Sequence, residues 1–135
     1  MKKRFLYLIL PIITLILEIL PYGAVLNFAR PATDGSIGHF RELYSYFDLM
    51  PFGYANFAPF ITAIISCLVF LLVAIYCVKG NIRVAAKARN ILYVAAVMSL
   101  GPLVLGVRYF SVVGGFITLT LIVELLLLHR AVRQK

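Results

Sequence analysis

Four stretches of this chain run for the length of a membrane crossing almost without charge. A helix needs roughly 20 apolar residues to cross a hydrocarbon core about 30 Å thick, so each run predicts a transmembrane helix. Phe5 to Ala29 carries one charge, Glu18; Phe57 to Val78 and Asn90 to Val107 carry none; Tyr109 to Leu128 carries only Glu124. Read as helices, they place spans over residues 5–26, 57–78, 84–106 and 109–129, with a loop over residues 27–56. The expected fold is therefore all-α: a single four-helix transmembrane bundle with one structured outer loop. Composition excludes a soluble domain, since 63% of residues are hydrophobic and 13% charged, against roughly 45–50% and about 25% in an ordinary globular chain.

The net charge of +8 raises the question of nucleic acid, which the placement of the charges answers. Lys2, Lys3 and Arg4 precede the first span, Lys79, Arg83, Lys87 and Arg89 separate the second from the third, and Arg130, Arg133 and Lys135 follow the fourth. Ten of the thirteen basic residues thus share one side. The positive-inside rule makes that side cytoplasmic and both termini internal. The partner implied is the lipid bilayer rather than nucleic acid. The Lys-rich start resembles a signal peptide, but the apolar run exceeds the usual 7–15 or so residues and has no Ala-x-Ala site, so it reads as a retained span. With no sorting motif, the expected location is a bacterial cytoplasmic membrane. Cys67 and Cys77 sit about 15 Å apart along one helix, beyond the roughly 7 Å that a disulfide tolerates, and read as packing thiols.

The outer loop is rich in rings: Phe28, Phe40, Tyr44, Tyr46, Phe47, Phe52, Tyr54 and Phe57. Such rings favour the headgroup level, and Tyr44, Tyr46, Phe47, Phe52 and Tyr54 form a candidate partner surface. Ala32-Thr33-Asp34-Gly35-Ser36 is a turn signal. Beyond it, Glu42 to Leu49 alternates imperfectly and predicts a strand paired with residues 24–28 in a short β-hairpin. Ile37, Phe40, Tyr44 and Phe47 also fit a helical stripe, which leaves an interfacial helix as the alternative. A hairpin of this kind exposes an edge that can template pairing with another chain. Four spans with a structured first outer loop resemble the claudin-like tetraspan architecture, without that family's tryptophan and cysteine loop motif. The resemblance implies architecture only.

Ionisable residues at membrane depth cost about 2.5–3.5 kcal/mol each on insertion scales, so Glu18 and Glu124 call for a reason. Glu18 falls in the outer third of its span and Glu124 in the inner third, about 20 Å and 22 Å from their starting boundaries, which argues against one two-carboxylate site. Glu18, Arg108 and Glu124 make up the candidate intramembrane polar site. Arg108, in the tight 3–4 turn, is the expected partner of Glu18, and Lys87, Arg89 or Arg130 that of Glu124. A lone acid in the first of four helices also resembles the small multidrug resistance transporters, and the resemblance implies exchange of protons for cationic drugs at Glu18. The loop of about thirty residues after the first span departs from that family. Packing signals are plainer. Ala58, Thr62 and Ser66, Ala95 and Ser99, and Gly114 and Thr118 recur every four residues, a spacing that lets helices approach closely, and Gly101-Pro102 predicts a kink.

Catalytic constellations are not found. His39 and His129 lie on opposite sides of the membrane, and Ser45, His39 and Asp48 share only a loop. No nucleophile elbow, phosphate loop or zinc helix motif occurs. The sequence thus points to a membrane protein without cofactor or metal. Its expected role is that of a non-enzymatic structural or accessory component, acting through bundle and loop contacts with a membrane-protein partner or a second copy. The alternative is a small proton- or ion-coupled transporter using Glu18.

Overall fold

The computed structural model describes residues 2–31 and 37–133. The chain is mostly helical, with one two-stranded antiparallel sheet. A short helix α1 (Lys2–Phe5) passes through a 3-10 turn (Leu6–Leu8) into α2 (Ile9–Ile19). Pro11 accounts for the tightened turn. Its ring crowds the carbonyl four residues back and it donates no hydrogen bond, so the backbone before it winds differently. A second proline sets the end. Leu20, at ψ 137°, is extended, as a residue preceding proline prefers to be. The expected first span to residue 26 is thereby cut short, and Ala24 to Phe28, inside the apolar run, become strand.

That strand, β1 (Ala24–Pro31), pairs with β2 (Ile37–Tyr44) from Ala24 opposite Tyr44 to Pro31 opposite Ile37. The expected hairpin exists, in place of the interfacial helix, but its second strand lies five residues earlier than the alternation of 42–49 indicates. Ser45 ends it. The Ser45 N–H donates to Asp48 Oδ2 at 2.8 Å and the Phe47 N–H to Ser45 Oγ at 3.0 Å, local bonds of the kind that compete with a sheet ladder. Ala32 to Ser36, the expected turn, lies outside the described residues. The chain then forms α3 (Leu49–Gly53) and enters α4 (Ala58–Lys79).

Proline near the first position of α4 and left-handed Gly80 after its last residue follow the usual asymmetry of helix ends. Asn81 then caps α5 (Ile82–Ser99) by accepting from the Arg83 N–H at 3.0 Å. The α5 hydrogen-bond pattern is interrupted at Leu100, whose N–H donates to Val97 O, and α6 (Gly101–Leu105) carries the chain onward, beside the Gly101-Pro102 pair where the kink is expected. A 3-10 turn (Val107–Tyr109) leads to α7 (Val112–Arg133). Three helical stretches, Ala58–Lys79, Ile82–Leu105 and Val112–Arg133, are long and apolar enough to cross a membrane; Leu6–Ile19 is apolar but shorter.

Small and hydroxylated residues line much of the interior beside Leu92, Ile117, Leu121 and Leu128, while many large aliphatic side chains face outward. Thr62, Ala63, Ser66, Ala85, Ala88, Ala95 and Ser99 are buried, while Ile16, Leu71, Val97, Val104 and Leu119 are exposed. In water this arrangement would waste most of the apolar surface. In lipid it is the expected one, because close helix contact is gained through small residues. All three spaced sets from the sequence are buried, and Thr118 donates across to Ser99 Oγ at 3.0 Å.

Gly101 marks a close approach between α6 and the start of α4: a Cβ there would lie 2.5 Å from the Ala58 Cβ. Gly101→Ala is expected to lower stability in detergent by about 1–3 kcal/mol, the range for overpacking. Adding Ala58→Gly should recover most of that loss in thermal unfolding, and a double variant as weak as the single one would refute this contact.

Candidate functional site

The last turn of any α-helix leaves carbonyls without an intrahelical partner. At the end of α2 the loop after β2 supplies the partners. The Tyr46 N–H donates to Glu18 O at 2.9 Å, and Ser45 Oγ donates to the same oxygen at 3.0 Å. Glu18 itself is fully buried. Its Oε1 accepts from Ser66 Oγ of α4 at 2.7 Å, and its Oε2 has no hydrogen-bond partner among the described residues. One residue therefore holds three elements together: α2, the loop and α4.

Further bonds root the hairpin. Asn56 Nδ2 donates to Val25 O at 3.3 Å, and Arg41 Nη2 to Phe110 O at 3.2 Å. Ser111 donates to Gly23 O and caps α7 by accepting from the Gly114 N–H at 2.8 Å. Tyr46 is 1% exposed. Its ring abuts Gly23, where an added Cβ would meet it at 2.7 Å, and its hydroxyl lies beside Gly114. Burial and the nearby Glu18 push its phenol above the ordinary range.

Arg108 does not join Glu18. It lies exposed on the 3-10 turn Val107–Tyr109, whereas the Glu18 carboxyl faces inward onto Ser66. The Glu18 carboxyl is committed to Ser66 of α4 instead of turning to the 3-10 segment. Glu124 is 3% exposed, and its Oε1 has no partner among the described residues. Lys87 and Arg130 are exposed, and Arg89 bonds Asn90 Oδ1 at 2.9 Å, so the expected interfacial ion pair is not formed by these residues.

The aromatic surface divides in two. Tyr46 is core rather than surface, because the small Gly23 and Gly114 admit its ring beneath the loop. Tyr44 and Phe47 pack half-buried against the core, while Phe52 and Tyr54 are exposed. The Tyr44 hydroxyl donates to Glu42 Oε2 at 2.6 Å, which raises its phenol to about 12. Phe28 stacks on its cross-strand neighbour Phe40 at 5.3 Å and meets Tyr54 edge-on at 5.2 Å. Ile37, Phe40 and Leu43 on β2, with Leu49 and Met50 on α3, are also exposed. The partner surface expected from the sequence left these out because it was drawn from the rings of residues 44–54 alone.

Catalytic geometry is not assembled around Ser45. Its hydroxyl is committed to Glu18 O, and His39 lies six residues up the chain on an exposed strand, about 15–20 Å away at strand rise. No group of three His, Cys, Asp or Glu residues suited to a metal ion occurs among the described residues. Both cysteines are free, and Cys77 Sγ donates to Arg4 O.

Ser66→Ala leaves a buried carboxyl without its donor and is expected to cost about 1–3 kcal/mol in detergent unfolding. Combining it with Glu18→Leu should bring stability back toward wild type, since losing both partners of a buried bond is far less harmful than losing one. Additive losses in the pair would show that the bond contributes nothing. No protein-family model, no curated protein and no solved structure matches this chain.

Proposed function

We propose that the chain is a four-span, non-enzymatic accessory protein of a bacterial cytoplasmic membrane, with both termini cytoplasmic, that engages a membrane-protein partner through its outer hairpin. The carrying observation is the contrast within that hairpin. Its base is buried at Ala24, Val25 and Leu26, while Ala29 to Pro31 and Ile37 to Leu43 are exposed. A two-stranded ribbon is marginal in water on its own. Here its root is held by the Glu18, Asn56, Arg41 and Ser111 hydrogen bonds, so the distal part is presented on a firm base.

The unpaired edge of β2 offers main-chain donors and acceptors for strand addition. Exposed Ile37, Phe40 and Leu43 provide apolar anchors along it. The other edge is engaged at its base by a bridge from Ala24 to Phe110. Four spans are supported by the packing of α2 along α7 and α4, through Thr14 to Thr120 at 2.9 Å and Ser66 to Glu18 at 2.7 Å. Lys79, Arg83, Lys87, Arg89, Arg130 and Arg133 flank the ends that the positive-inside rule makes cytoplasmic.

A photo-crosslinking residue placed at Ile37 or Phe40 in native membranes should capture one defined partner protein. The same probe at Leu71, on the lipid-facing side of α4, should not. Replacing Phe28 to Phe40 by a short Gly turn should abolish co-purification of that partner from mild detergent without unfolding the bundle. Co-purification that survives the hairpin deletion would refute the role of the hairpin.

A further inference from the structure

Four buried side-chain polar atoms among the described residues have no hydrogen-bond partner, and three belong to titratable groups: Glu18 Oε2, Glu124 Oε1 and His129 Nδ1. They are not scattered. Glu18 lies on α2, and Glu124 and His129 lie on α7, the helix that α2 meets through the Thr14 to Thr120 hydroxyl bond. Thr14 is four residues before Glu18, and Thr120 four before Glu124, so each threonine shares a helix face with its acid. The two helices run antiparallel through the bundle. With the threonines level, Glu18 stands about 6 Å toward the hairpin end and Glu124 about 6 Å toward the opposite end, from a rise of about 1.5 Å per residue. His129 stands about 8 Å beyond Glu124 along α7 but, five residues on, about 140° around the helix from it, off the face that meets α2.

We infer that the α2–α7 seam is a proton path through the bundle, with Glu18, the Thr14–Thr120 hydroxyl pair and Glu124 as its successive stations. Buried acids without a basic partner, at different depths of a bundle and with a bonded hydroxyl pair between them, are the arrangement of membrane proton relays. A proton held by the Glu18 carboxyl passes to the Thr14 hydroxyl, which releases its own proton to Thr120. Thr120, its hydroxyl turning from Ile117 O, passes one to Glu124, Glu124 releases one to inner water, and Glu18 takes up another from the outer side. The path requires one bridging water in each of the roughly 6 Å steps between a threonine and its acid, and once Glu18 is reprotonated every station holds the protons it began with. Tyr46 and Cys67 are the other titratable groups within electrostatic reach of Glu18, and Glu124 is itself within reach of Glu18. Tyr46, wedged between Gly23 and Gly114, covers the outer end of the seam, so entry there requires that ring to swing aside.

This path goes beyond the accessory role and shares with it only the insertion of the bundle. The test uses purified full-length protein in vesicles of phosphatidylcholine and phosphatidylglycerol that enclose a pH-sensitive dye, with potassium and valinomycin setting the potential. Wild-type vesicles are expected to take up protons well above protein-free ones. Glu18→Gln and Glu124→Gln should each slow uptake by at least about tenfold, the lower end for removing a positioned proton donor. Thr120→Val should slow it by less, and Glu42→Gln on the hairpin should leave it unchanged. Wild-type flux equal to that of empty vesicles, or Gln variants that match wild type, would overturn the path. If a Gln variant fails to reconstitute, infrared spectra of the wild type in deuterated water decide: both buried carboxyls must exchange, and locked carboxyls overturn the inference. Protease protection in the same vesicles separates the two readings. A chain that does not insert sinks the four-span reading with the path, whereas insertion without flux sinks the path alone.

Discussion

The end of α2 governs the arrangement around it. A helix that stops at a proline within an apolar run leaves carbonyls that lipid cannot satisfy. Tyr46 N–H and Ser45 Oγ meet that requirement at Glu18 O. To bring them there the chain must fold back over the bundle, which sets where β2 ends, why Tyr46 is buried and why the hairpin projects from a fixed base. The carboxyl of the same residue ties the cap to α4 through Ser66. Main chain and side chain of Glu18 thus join the outer structure to the bundle.

Much of the bundle was legible because its signals are local and repeated. The uncharged run from Phe57 to Val78 contains most of α4, and the small residues at 58, 62 and 66, at 95 and 99, and at 114 and 118 mark the buried faces. The break at Gly101-Pro102 was readable for the same reason. The end of the first helix was less so, since Ala24 to Phe28 are as apolar as the helix before them and only Pro21 separates the two. The register of β2 was hidden as well. Its residues are exposed on both faces, so burial imposes no alternation on it, and the alternation that does occur, from 42 to 49, straddles the Ser45 turn.

Partner choice inside the bundle was the least legible part. Opposite charge suggested Arg108 for Glu18 and a cytoplasmic base for Glu124, but charge says nothing about depth. The structure gives Glu18 a serine and leaves an oxygen of each acid without a partner. The Thr14 and Glu18 spacing, two polar residues on one face of an apolar helix, was not singled out because only the charge of Glu18 stood out. Its counterpart, Thr120 and Glu124, lay a hundred residues away, and only the antiparallel packing of α2 on α7 brings the two pairs level.

The turn at Gly80 and Asn81 has a further consequence for how the chain assembles. Helices joined by so short a connection meet as soon as both exist, so α4 and α5 can enter the bilayer already paired. The α2–α7 contact closes a loop of 106 residues between Thr14 and Thr120 and must wait for the last helix. Until then Glu18 has Ser66 to lean on, while Glu124 is still being made. The order of synthesis therefore keeps the two acids apart until the threonine bridge between them can form.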